Sequence, residues 1–156
     1  MESVIIPLID MDSNPDITHI EFIMNSNGGD VYSGMAVCNA IERLKTPTTV
    51  IIPSMAASMG ALIAMAGHNN QNVTTVAFPF SVFLLHSGSY FFDGSANSVR
   101  DSFAFQEEYE KMMTEYILSH TSISREEYEK KTRYEWYMTA STAKDLQIIR
   151  FQPITS

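Results

Sequence analysis

Apolar and polar positions recur along this chain in two periods, and the switches between them mark its elements. Thr18-His19-Ile20-Glu21-Phe22-Ile23-Met24 alternates with a period of two and predicts a strand. Thr48 to Ile52 predicts a second strand, and Val73 to Phe78 and Val82 to Leu85 predict two more. Between the strands the period lengthens. Val31, Met35, Val37, Cys38, Ile41 and Leu44 fall at helical spacing, and Ser58 to Ala66 predicts a helix that stops at Gly67. An amphipathic run from about Ser95 to Ser119 predicts a much longer helix. A helix over Glu2 to Met11 precedes the turn Asp12-Ser13-Asn14-Pro15. Another, over Ser124 to Lys131, opens with the capping-box spacing of Ser124 and Glu127. Glycine-containing loops are expected at Asn25 to Asp30 and at Ser87 to Gly94. Strand, turn and helix in this repetition predict an α/β fold with right-handed crossovers, in which ligands bind at the carboxyl ends of strands. Gly28-Gly29 and Ser58 both fall at such ends.

Composition narrows the class. The 156 residues show no linker, repeat or low-complexity tract, so one domain over 1–156 is expected. A hydrophobic share of 45% with 18% charged residues fits a globular protein. No apolar run approaches the roughly 20 residues that cross a bilayer. Met1-Glu2-Ser3-Val4-Ile5-Ile6-Pro7 lacks the basic start and cleavage site of a signal peptide. A single cysteine, Cys38, leaves no internal disulfide and suits a reducing compartment, so the expected location is the cytoplasm. Without a secretory signal, the sequon Asn72-Val73-Thr74 is read as chance. The net charge of −8 argues against nucleic acid as a partner, because phosphate binding needs clustered Lys and Arg.

Candidate chemistry concentrates at Ser54-Met55-Ala56-Ala57-Ser58-Met59-Gly60-Ala61-Leu62, where small residues crowd a serine between a strand and a helix. Two readings stand. Small side chains let a helix lie close to a strand, and they also hold a nucleophilic hydroxyl at a tight turn, as in G-x-S-x-G, which reads Ala56-Ala57-Ser58-Met59-Gly60 here. A serine nucleophile needs a base. Of the four histidines, His86 is best placed, since it ends the apolar run Phe83-Leu84-Leu85 and opens a Ser/Gly loop; the alternative is a histidine that merely caps a strand edge. Gly28-Gly29 relieves backbone strain in a turn, or aims a peptide N–H at a carbonyl oxygen. The Met59 N–H, at the start of the helix, offers a second donor.

Several of these segments together resemble the Clp protease proteolytic subunit family, self-compartmentalised serine peptidases. Asn25-Ser26-Asn27-Gly28-Gly29 is similar to that family's Asn-Ser-Pro-Gly-Gly turn, and Ala56-Ala57-Ser58-Met59-Gly60-Ala61 to the segment holding its nucleophile. Phe83-Leu84-Leu85-His86 resembles the segment ending in its histidine, Ser119-His120-Thr121 the close of its long handle helix, and Thr139-Ala140 with Ala143-Lys144 the run after its acid. The order and approximate spacing of all five agree. The resemblance implies a crotonase/Clp-protease-like fold of repeated β-β-α units with a protruding handle helix at about 95–120. It implies Ser58 as nucleophile, His86 as base, Glu135 as orienting acid, and backbone donors for the oxyanion at Gly29 and Met59. Gly28, Asp30 and Val31 would border an extended peptide bound as an added strand. No metal and no cofactor are expected. The implied partners are a peptide or unfolded protein and further copies of the chain, in one ring of seven or two stacked rings.

The chain also departs from that family. Glutamate at Glu135 replaces the usual aspartate, which weakens the case for the acid without ending it, and a solvated surface carboxylate is the alternative. Tyr134 stands where a basic residue often precedes the acid, and Gln147-Ile148-Ile149-Arg150 stands for the closing Gly-Ile-Ile/Val-Asp. The polar loop from Gly67 to Val73 is about three residues longer than the family's. The axial loop and first strand find no counterpart before Glu2, which weakens the expectation of docking to an AAA+ unfoldase. Three functions therefore compete: an endopeptidase for short or unfolded peptides, a catalytically silent structural subunit, and a crotonase-like acyl-CoA enzyme. Phe103, Phe105, Tyr109, Met112, Met113 and Tyr116 fit either a ring-to-ring handle or an ordinary core-facing helix.

Overall fold

The computed structural model describes residues 2–88 and 91–150. Of the loop expected at Ser87 to Gly94, Ser89 and Tyr90 lie outside the described residues. In chain order the elements are α1 (Glu2–Ser13), β1 (Ile20–Ile23), α2 (Val31–Ile41), β2 (Thr48–Ile52), β3 (Met55–Ala57) and α3 (Met59–Met65). A 3-10 turn (Ala66–Asn69) leads to β4 (Val73–Ala77), β5 (Val82–Leu85), α4 (Ala96–His120), α5 (Arg125–Lys131), β6 (Trp136–Thr139) and α6 (Ala140–Asp145).

β-branched residues build the first sheet, of order β1-β2-β4 and parallel throughout. Its register sets Ile20 beside Thr48, and Thr48 beside Val73. Val50 and Ile52 are buried from β2, and Val37, Cys38 and Ile41 from α2 and Leu62 and Met65 from α3 join the same core. Each such aliphatic side chain contributes about 1.5–3 kcal/mol by leaving water. Burial also pushes the Cys38 thiol up to about 12, so it stays protonated and inert.

The second sheet, of order β3-β5-β6, is mixed: β3 runs parallel to β5, and β6 antiparallel to it. The chain twice leaves the first sheet for the second before entering a helix, once through β2-β3-α3 and once through β4-β5-α4. These are the β-β-α repeats expected of the fold, and the architecture is mixed α/β with parallel strands and one long helix. The sheets meet where Ser26, after β1, pairs with β3: its N–H donates to the Met55 carbonyl and its carbonyl accepts from Ala57 N, both at 2.9 Å.

Three elements went unpredicted: β3, β6 and α6. Ser58 is also not the first helical residue but the cap before α3. α4 extends as expected, yet the core-facing reading fits only its C-terminal end. Ile117 and His120 are its buried residues, while Phe103, Phe105 and Met112 are 52%, 53% and 62% exposed. A polar cluster roots that end. Tyr116 stacks on His120 and donates to Glu42 Oε1 at 2.7 Å, and His120 Nε2 lies 3.2 Å from the same oxygen. His120 Nδ1, 2.7 Å from the Tyr116 carbonyl oxygen, donates to it.

Candidate active site

Parallel pairing of β3 with β5 sets Ala57 beside Leu84, so the residues just beyond these strands emerge together. Ser58 donates its N–H to the Leu84 carbonyl at 2.9 Å, and His86 follows one residue after β5. The outcome is a hydrogen bond of 2.9 Å between Ser58 Oγ and His86 Nε2. Both side chains are half-buried.

Ser58 holds φ 54 and ψ −122, a conformation an L residue adopts at a cost of about 1–3 kcal/mol. Surrounding bonds over-determine it. The Asn25 side-chain oxygen accepts from Met55 N at 2.9 Å, Ala57 N bonds to Ser26, and the Ser58 carbonyl accepts from Ala61 N at 2.9 Å. Small residues are obligatory here: a Cβ on Gly28, itself at φ +96, would sit 2.7 Å from Ser58 Cβ and 2.8 Å from the Ala57 carbonyl oxygen. The Gly28 N–H donates to Ser26 Oγ at 3.1 Å, which fixes the glycine turn beside the serine. Among the described residues, the N–H groups of Gly29 and Met59 have no hydrogen-bond partner.

A cleft of about 320 Å³ opens from the serine and histidine toward α4 and α5. Val31, Met59, Leu62, Leu85 and Ile117 give it an apolar floor, and Glu107, Glu110 and Lys111 stand at its α4 side. Val31 thus lines the same cleft as Ser58 and His86. Asp30 uses its carboxylate to cap α2, accepting from Ser33 N at 2.8 Å, and the hydrogen bonds of Ser33 hold its carboxyl below the usual range. Glu135 is not joined to His86. It is exposed, its Oε2 accepts from the Tyr137 hydroxyl at 2.9 Å, and among the described residues no hydrogen bond or ion pair links it to the imidazole.

A hydroxyl in line with an imidazole at a tight strand-to-helix turn, beside two unpaired amides, is suited to attack on a carbonyl carbon. Residues 1–150 match the Clp protease family. The chain belongs to the Clp protease family. One relative of this Clp protease chain is the ATP-dependent Clp protease proteolytic subunit of Deinococcus radiodurans. The two are 26% identical over 141 residues, 90% of this chain and 68% of that one.

The other histidines of this Clp protease family member have separate attachments. His19 bonds to Thr49 Oγ1, His120 belongs to the root of α4, and burial, then Arg150 and His120, holds His68 below its ordinary pKa. Sequence reasoning named Asn25 and Ser26 within the glycine turn without giving them a role, and missed Thr132 and Tyr137. Thr132 is buried, and its carbonyl accepts from Ser87 N at 3.0 Å, which clasps the chain just after His86. Tyr137 gave no signal, because its role depends on which neighbour its hydroxyl meets. Among the described residues no helix is long and apolar enough to cross a membrane.

Proposed function

We propose that this protein is a serine endopeptidase that cleaves short or unfolded peptides within an oligomeric chamber. The observation that carries the reading is the 2.9 Å bond between Ser58 Oγ and His86 Nε2, made by a serine at φ 54. His86, neutral at the start, takes the Ser58 proton as Oγ bonds to the scissile carbonyl carbon. The carbonyl oxygen becomes an oxyanion facing the Gly29 and Met59 N–H groups. The imidazolium then protonates the leaving amine, the C–N bond breaks, and an ester on Ser58 remains. Water, deprotonated by His86, hydrolyses that ester and restores the serine.

The peptide lies along Gly28, Asp30 and Val31 with one side chain in the apolar cleft. Exposed Phe103, Phe105 and Met112 on α4 support burial against further copies, in one ring of seven or two stacked rings. An ATP-driven unfoldase is a further partner consistent with the family. The test is treatment with a serine-directed fluorophosphonate, followed by mapping of the adduct. Modification at Ser58, abolished in Ser58→Ala and His86→Ala, is expected; an unmodified chain that still cleaves peptides would refute the mechanism.

One observation favours a second reading, a silent subunit that only co-assembles with an active one: the Glu135 carboxylate engages Tyr137 rather than His86. Such a subunit assembles normally yet resists the fluorophosphonate. The fluorophosphonate separates the two, while light scattering on the same sample tests what they share, a mass well above the 17.5 kDa of one chain.

A further inference from the structure

β5 and β6 pair antiparallel from Val82 opposite Thr139 to Leu85 opposite Trp136. Continued one step past its last pair, that register would set His86 against Glu135, two pairs beyond Leu84 against Tyr137. Strand pleating sorts these side chains. Phe83, Leu85, Trp136 and Met138 are buried on one face, so Leu84, His86, Glu135 and Tyr137 share the other. Directly opposed residues hold their Cβ atoms about 4.5–5.5 Å apart, a span that a glutamate side chain crosses to reach an imidazole. The hydrogen bond from Ser87 N to the Thr132 carbonyl keeps the two chains together just beyond the pair. Glu135 thus occupies the place of an orienting acid while its carboxylate is turned along its own strand.

We propose that Tyr137 is a positioning residue that restrains this acid: its hydroxyl draws the Glu135 carboxylate away from His86 and holds turnover below what a completed triad would give. Tyr137 and Glu135 lie two positions apart on one face of the same chain, so their bond forms whatever the distance between β5 and β6. The carboxylate then has two competing donors, the phenol and His86 Nδ1. Among the described residues Ser58 is the one hydrogen-bond partner of the His86 ring, which leaves that nitrogen available to Glu135 when the phenol is removed. The inference rests on Ser58 and His86 working as the peptidase pair proposed above.

Tyr137→Phe keeps the ring and deletes the donor. Turnover of a small fluorogenic peptide should rise about fivefold in kcat with KM unchanged, the factor one net hydrogen bond in competition with water is worth. The gain should vanish in Tyr137→Phe/Glu135→Gln, because the released carboxylate is its source. A rate that is unchanged or lower in Tyr137→Phe, or a gain that survives in the double variant, overturns the proposal. A structural role for the ring would move KM or thermal stability and not a kcat gain that requires Glu135.

A second readout needs no activity. The Glu135 carboxylate, first through the hydrogen bond and then through its charge, holds the Tyr137 phenol above its ordinary pKa. Glu135→Gln should therefore let one tyrosine ionise at lower pH in an absorbance titration, a change absent on the Tyr137→Phe background; identical titrations refute the contact. Failure of the underlying peptidase reading looks different. Ser58 would then resist the fluorophosphonate in every variant, which removes both, whereas a labelled wild type with an unaltered Tyr137→Phe rate removes this inference alone.

Discussion

Gly28→Ala tests whether the glycine turn builds the nucleophile. The added methyl carbon would lie 2.7 Å from Ser58 Cβ, 2.8 Å from the Ala57 carbonyl oxygen and 3.2 Å from Met59 N. Ordinary contact begins at 3.4 Å, so the closest approach is too short by about 0.7 Å. None of the three atoms yields freely. Ala57 N is bonded to Ser26 and Ser58 N to Leu84, so moving one displaces two strands. Alanine at φ +96 adds about 1–2 kcal/mol of backbone strain. Strain and overlap together should cost about 2–4 kcal/mol, or a fall in Tm of roughly 4–16 °C at this chain length. Relief comes from Ser58 moving away from Gly28. A shift approaching 1 Å in a reacting group costs on the order of 10²-fold in rate. Peptide turnover, the fluorophosphonate reaction rate and a thermal melt read the two effects separately. Gly29→Ala is the control for crowding, since its Cβ meets nothing within 4 Å; its Tm should fall less. Full turnover and an unchanged Tm in Gly28→Ala would show that the turn does not hold Ser58.

Ser58→Gly should abolish turnover yet raise stability by about 1 kcal/mol in a denaturant titration, because glycine adopts φ 54 without strain; a less stable variant contradicts the strain at this turn. Gln147 follows α6 at φ 61, a left-handed conformation that glycine adopts without strain, and Gln147→Gly should gain about 1 kcal/mol with turnover unchanged. Asp12 Oδ1 accepts from Lys45 N at 2.8 Å and from Thr46 N at 2.7 Å, tying the end of α1 to the start of β2. Burial opposes the charge on Asp12, but the N–H groups of Thr46 and Lys45 outweigh it and hold its carboxyl below the ordinary 3.8. With the folded value the lower one, this stabilisation is fully present above pH 3.8 and is lost as pH falls through the folded value. Asp12→Ala should therefore be less stable than the wild type at pH 7, with the gap shrinking below pH 4; a gap independent of pH refutes the assignment.

Elements defined by their own pattern were legible in the sequence. Thr48 to Ile52 reads as a strand because three of its side chains are β-branched on a buried face, and the cap of α5 at Ser124 was visible in its spacing to Glu127. Elements defined by a neighbour were not. Met55–Ala57 is too short and too small to show a period, and becomes a strand only because Ser26 and Phe83 flank it. Trp136–Thr139 alternates buried and exposed in space, but Trp, Tyr and Met follow one another in sequence and conceal it. The same division runs through the candidate site. Ser58 and His86 announce themselves by local composition, while the direction of Glu135 is decided by a hydroxyl two residues away.

The long helix has a consequence for access to the cleft. From Ala96 to Met112 no α4 side chain is fully buried, so beyond ring contacts such as Tyr109 on Tyr32 little besides its own backbone bonds keeps that stretch wound. Its amide hydrogens should exchange with solvent well before those of β2 or α3, through openings that leave the two sheets intact. Glu107, Glu110 and Lys111 belong to this stretch and also form one wall of the cleft. Each opening thus removes the wall, and in the proposed assembly a neighbouring copy over Phe103, Phe105 and Met112 would slow exchange and rebuild it in one event. On that proposal, amide exchange in α4 should slow as protein concentration rises, and peptide binding should strengthen with it through the winding of α4.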